Sequence, residues 1–540
     1  MSRLLPLLAL VACAGSLPPQ PAATGPVHVQ LLAFNDFHGN LEPPSGTVRL
    51  PDGTVPSGGG AWLAAEVARL RAEEPAATLV VAAGDLVGAS PLPSALGHDE
   101  PSIALMDELG LDVSSVGNHE FDKGVDELLR LQRGGCRADE PCKPPYPGAH
   151  FGYLAANVFD RSGKTILPAT AIRKVGGVTV GFVGVVLRET PTVVTPTGVV
   201  GLTFGDEAEA VNAAVPKLRE AGADAIVVLI HQGGAQAPGS PPGECRGFSG
   251  PLVEVAQRFR GVDVIVSGHT HQAYVCPALA GTLTTSAGAF GRFVTRIELD
   301  VDPGQHRVLA RKATQVPVTH ALPPDPRAKV IVDQAVAAAA PLADRRVGRL
   351  AVALGRAASN AGESALGDAV ADAHLAATRS SGAVAALTNS GGLRADLPAG
   401  DVTYAQLFAA QPFGNTLVTL TLTGAQLTTA LEQQWQGSRP RILQPSASLT
   451  YAWSGGASPG GKVVAGSLKV DGHVVGPETR VRVTVNSFLA TGGDGFAAFA
   501  EGVERVGGPP DLDALIDYLR PTLDGPPLPR PPGPRIQTQP

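Results

Sequence analysis

Positive charge is scarce and scattered in this 540-residue chain, where 42 lysines and arginines face 49 aspartates and glutamates for a net charge of −7. No basic cluster and no basic run interleaved with aromatics is present, which argues against a nucleic-acid polymer as partner and leaves small anions open. A bilayer-spanning apolar run is also missing: the N-terminal stretch MSRLLPLLALVACAGS is too short to cross a membrane and reads as an export signal. Cysteine is sparse, with 5 residues in all. Cys13 sits in the export segment, and the other four are Cys136, Cys142, Cys245 and Cys276. An even number in an exported chain suggests two disulfides rather than a thiol-bound metal. Cys136 with Cys142 would close a short loop and leave Cys245 with Cys276, although sequence alone permits three pairings. No internal repeat stands out.

What the chain does hold is a set of short β-branched runs, VHVQLLAF, TLVVAA, DVSSV, DAIVVLI and DVIVS, each followed at once by polar residues able to ligate a metal. These residues are Asp36 and His38, Asp85, Asn118 with His119 and Glu120, His231, and His269 with His271. Helical patterns such as AWLAAEVARLRAEE and AEAVNAAVPKLREA separate the runs, so the ligands should gather along the carboxyl edge of a packed sheet. Oxygen and nitrogen donors of this kind suit borderline divalent ions such as Zn, Mn or Co, and a carboxylate such as Asp85 can bridge two of them. Two such ions can lower the pKa of a shared water and hold both oxygens of an in-line phosphoryl displacement. A neutral Asn118 completes a site without cancelling its positive charge. An isolated histidine is most often structural, and His28, His98, His150, His306, His320, His374 and His473 are read so.

The ordered series Asp-x-His, Gly-Asp, Gly-Asn-His-Glu, His and Gly-His-x-His resembles the calcineurin-like metallophosphatase superfamily. Further along, TNSGGLRADL, TYAQLFAAQPFGNTL and VTVNSFLATGGDGF are similar to the nucleoside-binding domain of the 5′-nucleotidase family. The resemblance covers nearly the whole mature chain. It implies a two-domain α/β protein, with a four-layer α/β/β/α metallophosphoesterase domain followed by a smaller α+β nucleoside-binding domain. It further implies one metal on Asp36, His38, Asp85 and His271, and a second on Asp85, Asn118, His231 and His269. His119 stays off the metals, over the phosphate, with Asp122 fixing its tautomer as a catalytic dyad. Phe413 and Phe488 would sandwich the base, Asn415 and Asp494 would meet base or ribose, Arg394 would grip the phosphate, and Asn389 would be their polar neighbour. His271 stands where some nucleotidases carry an amide, and Arg356 does not match the register of the family's further arginine.

The expected organisation is an export segment over residues 1–25, a metallophosphatase domain over 26–320, a linker helix over 321–346, a substrate domain over 347–523 and a disordered proline-rich tail over 524–540. Leu10-Val11-Ala12-Cys13 resembles a lipobox, which implies a lipid on Cys13 and a periplasmic or cell-surface location, while Ala12-x-Ala14 equally permits ordinary signal-peptidase cleavage without a lipid. The expected activity is release of phosphate from nucleotides by a metal-activated hydroxide. Rivals on the same scaffold are a 2′,3′-cyclic-nucleotide phosphodiesterase, a UDP-sugar pyrophosphatase and a thiosulfate-ester hydrolase; from another class comes a silent nucleotide-binding surface lipoprotein. The oligomeric state is not encoded in any feature of this reading.

Overall fold

A computed structural model describes residues 25–539 except 45, 51, 52, 138, 139, 141, 143, 438 and 459. The export segment and Cys13 lie outside the described residues. Two six-stranded sheets stack face to face in the N-terminal half. The first runs in the order Arg307–Pro317, Phe293–Asp302, Val27–Phe34, Thr78–Ala83, Val113–Ser115, Gly152–Leu154. The second runs Ala273–Leu279, Thr282–Ala287, Val264–Ser267, Ala225–His231, Val178–Val186, Thr170–Val175. Side chains alternate along each strand with a period of two. Val29, Leu31 and Ala33 therefore face Val180, Phe182, Val227 and Leu229 between the sheets. Leu32 and Phe34 point outward to Leu63, Val67 and Leu70 of the helix Gly60–Glu73 and to Met106 of Glu100–Glu108. Across the second sheet, Val228, Ile230 and Ile265 meet Val211 and Leu218 of the helix Glu207–Glu220. The result is the four-layer α/β/β/α arrangement. It also explains the unbroken apolar runs, because strands covered on both faces have no reason to alternate with polar residues.

Val27–Phe34, Thr78–Ala83 and Val113–Ser115 run parallel, as do Val178–Val186, Ala225–His231 and Val264–Ser267. The ends of these strands set the positions of the ligand loops. The helix Pro326–Ala343 leads out of this domain; Asp325 caps it by accepting from the backbone N–H of Arg327 and Ala328, each at 2.9 Å. Its Ala328, Val332 and Ala335 join the core on the outer side of the first sheet, so the linker is fastened to the metal-binding half.

The C-terminal half centres on a five-stranded sheet in the order Leu443–Pro445, Ala385–Asn389, Arg480–Asn486, Thr416–Thr423, Val503–Pro510. The helix Ala365–Thr378 packs against it. The proline-rich tail corrects the expectation of disorder. Ile536–Gln539 forms a strand parallel to Leu449–Ser454, with Ile536 opposite Tyr451. Ile536 is 1% exposed and Arg535 2%. The Arg535 guanidinium donates to both Asp372 carboxylate oxygens at 3.0 and 2.7 Å and to the Pro445 carbonyl at 2.8 Å, and the Glu363 carboxylate accepts from the N–H of Ile536 at 3.0 Å. One apolar anchor and one buried ion pair suffice to order a segment whose composition alone offers no core.

Cys136 is bonded to Cys142 and Cys245 to Cys276, with Cα separations of 5.3 and 5.0 Å. Among the described residues no helix is long and apolar enough to cross a membrane.

Candidate active site

The parallel strands Val27–Phe34, Thr78–Ala83 and Val264–Ser267 each end in a tight turn that lifts donors above the sheet edge, while His231 is the last residue of its own strand. Asp36, His38, Asp85, His269 and His271 all adopt positive φ, between 48° and 71°. Left-handed backbone in non-glycine residues costs energy and clusters at functional sites. Neighbouring glycines make the turns possible: a Cβ on Gly84, itself at φ 76°, would lie 2.5 Å from the Gly117 nitrogen. The loops after Thr78–Ala83 and Val113–Ser115 are thus in backbone contact, which brings Asp85 beside Asn118 and His119.

The seven expected ligands converge. Asp36, His38 and His271 place donor atoms within 4.8 Å of one another, as do Asp85, His231 and His269; a third such group is His38, Asp85 and His119. His269 Nδ1 lies 3.0 Å from Asn118 Oδ1. His38 donates through Nδ1 to the Gly88 carbonyl at 2.9 Å, and His231 likewise to the Ala83 carbonyl at 2.7 Å. These bonds place a proton on Nδ1 of each ring and turn both Nε2 atoms inward, the orientation metal-ligating histidines adopt. Two observations show that a cation fits. His38 Nε2 faces His271 Nε2 at 3.1 Å, with Asp36 Oδ1 3.3 Å from the latter. His231 Nε2, fully buried, lies 2.9 Å from Asp85 Oδ2 without hydrogen-bond geometry. The donors are all nitrogen and oxygen, the set borderline divalent ions accept.

The charges follow from burial and proximity. Burial pushes His38 well below the ordinary histidine value and His269 down to about 3, leaving both neutral. Burial also opposes charge on His231, but Asp85 and Asp36 outweigh it and lift that group to about 10. Asp36 and Asp85 stay below the usual carboxylate range although burial works against them, because His271 and His231 respectively stand alongside. Two buried carboxylates therefore draw in positive charge.

His119 stands at the rim. Its Nδ1 is 2.8 Å from Asp122 Oδ2 and its backbone N–H donates to Asp85 Oδ1 at 2.9 Å. Burial disfavours its imidazolium, yet Asp122 and Asp85 together raise its pKa. The Phe413 ring of the C-terminal half stacks on it at 5.7 Å and 21°. The Arg394 guanidinium lies 5.8 Å from the centre of the same Phe413 ring. Burial weighs against the Arg394 charge, and Asp85 supports it. One cavity is lined by Asn118, His119 and His269 from the first half and by Asn389, Arg394, Phe413, Asn415, Phe488 and Asp494 from the second. Phe413 and Phe488 both border it, Phe488 resting against Gly493. Arg356 points to Asp396, its Nε donating at 3.2 Å.

Asn35 and Arg441 were not singled out from sequence, and Glu120, read there among the residues able to ligate a metal, takes a different part. Buried Glu120 accepts from the backbone N–H of Asp85 at 3.0 Å, Leu86 at 2.8 Å and Gly117 at 2.5 Å, tying two ligand loops together. Burial, and then Asp85, push its carboxyl up to about 7. Asn35 donates to Asp36 Oδ2 at 2.6 Å and to the Gly288 carbonyl at 2.7 Å, aiming that ligand. Adjacency to known ligands was the available signal for both. Arg441, on the cavity wall, had none.

Comparison with known proteins agrees with this geometry. The calcineurin-like phosphoesterase family model matches residues 29–273, and that of the 5′-nucleotidase C-terminal domain matches residues 346–501. A crystal structure of a 5′-nucleotidase precursor from Thermus thermophilus superposes with a TM-score of 0.77 at 28% identity, covering 95% of this chain and 100% of that one. The mouse (Mus musculus) 5′-nucleotidase is 25% identical over 95% of this chain and 92% of its own. Endonuclease YhcR of Bacillus subtilis (strain 168) is 33% identical over 93% of this chain, which spans 40% of that longer protein. With both halves matched in order and the ligand cluster assembled in the first, the chain belongs to the 5′-nucleotidase family of metal-dependent phosphoester hydrolases.

Proposed function

We propose that the protein is an exported 5′-nucleotidase that releases phosphate from nucleoside monophosphates. The observation that carries this reading is a cavity bordered by Asn118 and His269 of the ligand cluster and His119 on one side and by Phe413, Phe488 and Asp494 on the other. Asp36, His38, Asp85 and His271 would hold one divalent ion, and Asp85, Asn118, His231 and His269 a second. When bound, such a pair supplies an acidified water as nucleophile and positive charge beside the phosphoryl oxygens. The chain's own residues do the rest. Phe413 and Phe488 offer apolar faces to a base, which every base can use. Arg394 presents a planar fork to the phosphate. His119, whose imidazolium Asp122 and Asp85 favour against burial, stands where it can give a proton to the leaving 5′-oxygen. Burial of these groups strengthens every charge interaction made there.

The likeness to an endonuclease keeps phosphodiester cleavage as a second reading, since the metal cluster would serve either ester and the pocket selects. Turnover by the Mn- or Zn-loaded protein separates them, with free phosphate and nucleotide products both quantified across AMP, ATP, a 2′,3′-cyclic nucleotide, a UDP-sugar and an aryl phosphate. AMP should be preferred, and His119→Ala should lower its kcat by about 10²–10⁴-fold with metal content unchanged. Preference for the diester or the diphosphate would replace the substrate and keep the chemistry. Ligand binding without any release would return the protein to a binding role.

A further inference from the structure

Asp494 holds a conformation that nothing in its own sequence favours except the glycines around it: φ is 58° in the turn Gly493–Gly495. Its carboxylate is largely buried, and one oxygen is spoken for. Oδ2 accepts from Asn389 Nδ2 at 2.9 Å; Asn389 Oδ1 accepts in turn from Asn486 Nδ2 at 3.0 Å; and Asn486 Oδ1 accepts from the Leu489 N–H at 2.8 Å. This relay of amides joins Asp494 to the short helix that carries Phe488. Oδ1 has a different neighbour. Arg441 reaches across, its Nη1 donating to the Asp494 backbone carbonyl at 2.9 Å and lying 4.0 Å from Oδ1. The backbone of Arg441 is itself pinned, its N–H donating to the Gln434 carbonyl at 2.8 Å. Its side chain is 46% exposed and borders the same cavity.

We propose that Arg441 is a positioning residue that, opposite Asn389, holds the Asp494 carboxylate so that Oδ1 alone is left to accept a hydroxyl of the substrate's sugar. The residue thereby sets a preference for ribonucleotides over deoxynucleotides. The assignment rests on the nucleotidase reading above. Its physical basis is the cost of an unmade bond: a buried carboxylate oxygen offered no hydroxyl remains unpaired, so a site built around one rejects the analogue that lacks the group. Arg441 serves twice in this arrangement. Its bond to the carbonyl holds the left-handed turn, and its charge offsets the burial that favours a neutral Asp494. Without it the acceptor loses both aim and charge, while Phe413, Arg394 and the expected metal ligands keep their own contacts.

The test compares wild type, Arg441→Gln and Arg441→Lys on AMP, 2′-deoxy-AMP and 3′-deoxy-AMP, with kcat and KM determined separately and metal content checked. Wild type should favour AMP over at least one deoxy analogue by roughly tenfold or more in kcat/KM. Arg441→Gln should raise KM for AMP by about tenfold, leave kcat within a factor of about two, and leave the disfavoured analogue unchanged, with Arg441→Lys in between. Equal losses on all three substrates would mark a merely structural residue and overturn the proposal. So would an unchanged preference, or a wild type that does not discriminate. If wild type releases phosphate from none of them, the nucleotidase reading has failed separately. Calorimetric binding of adenosine against 2′-deoxyadenosine and 3′-deoxyadenosine then decides on Arg441: discrimination lost in Arg441→Gln supports the assignment, and discrimination absent or retained overturns it.

Discussion

Two histidines of this site have their pKa raised by neighbouring carboxylates and differ in what their proton is for. At the rim, Asp122 and Asp85 raise the pKa of His119 against burial. A raised pKa means that the charged form persists below it and is lost as pH rises through it, so His119 would define the alkaline limb of the kcat profile. Asp122→Asn should move that limb to lower pH and reduce kcat; a limb that stays in place would assign it to another group. His231 instead holds a proton, at about 10, that an incoming divalent ion must displace. Metal affinity should therefore rise by roughly tenfold per pH unit across the neutral range, as measured by competition with a chelator, for the single proton released. Flat affinity across that range would contradict this. At the residue scale the sequence was informative where one residue type in one place admits one job. Asp36, His38 and Asp85 were readable because each follows a buried strand. Glu120 and Asn35 act through backbone amides and a neighbour's carboxylate, contacts that depend on how two loops approach and not on local pattern.

Elements were legible for the same physical reason in both sheets. A strand covered on both faces must be apolar throughout, so its end is marked by the first polar residue, and that residue lies at the carboxyl edge where Asp36, Asp85, Asn118 and His269 are found. The tail shows where this kind of reading fails. Averages over a proline-rich window miss a strand anchored by Ile536 and Arg535 alone. Because Arg535 is 2% exposed and bound to both Asp372 oxygens, its removal leaves a largely buried carboxylate without its counter-charge and with only the Ala447 N–H, at 2.7 Å, to satisfy it. Arg535→Ala should destabilise the C-terminal half by about 3–5 kcal/mol, read from the denaturant midpoint. A loss below about 0.5 kcal/mol would mean that the tail rests on the surface without supporting it.

At the scale of the whole molecule, the chemistry is divided between two halves that could each fold around their own core. The metal cluster belongs to the stacked sheets, and the aromatic and arginine groups belong to the second domain. They meet where Phe413 stacks on His119 and where the segment Thr190–Val193 packs against Gly493–Gly495. The linker helix is anchored to the first half through Ala328, Val332 and Ala335, which leaves relative movement to the connection beyond it. Division of this kind makes a specific demand: binding energy from the nucleoside must be used to accelerate cleavage at a phosphate held by the other domain. A nucleotide and a simple aryl phosphate present the same phosphoryl group to the metals; they differ in leaving group, which no substitution in the second domain changes, and in the nucleoside offered to the phenylalanines.

The most direct test is the ratio of kcat/KM for AMP to that for an aryl phosphate, compared between wild type and Phe488→Ala. If the second domain binds the nucleoside, wild type will favour AMP strongly and the substitution will reduce the ratio by about tenfold or more, leaving the aryl phosphate rate unchanged, as expected for the loss of about 1–3 kcal/mol of base stacking. A ratio that the substitution leaves unaltered would contradict the account, because recognition would then lie outside the cavity that joins the two domains.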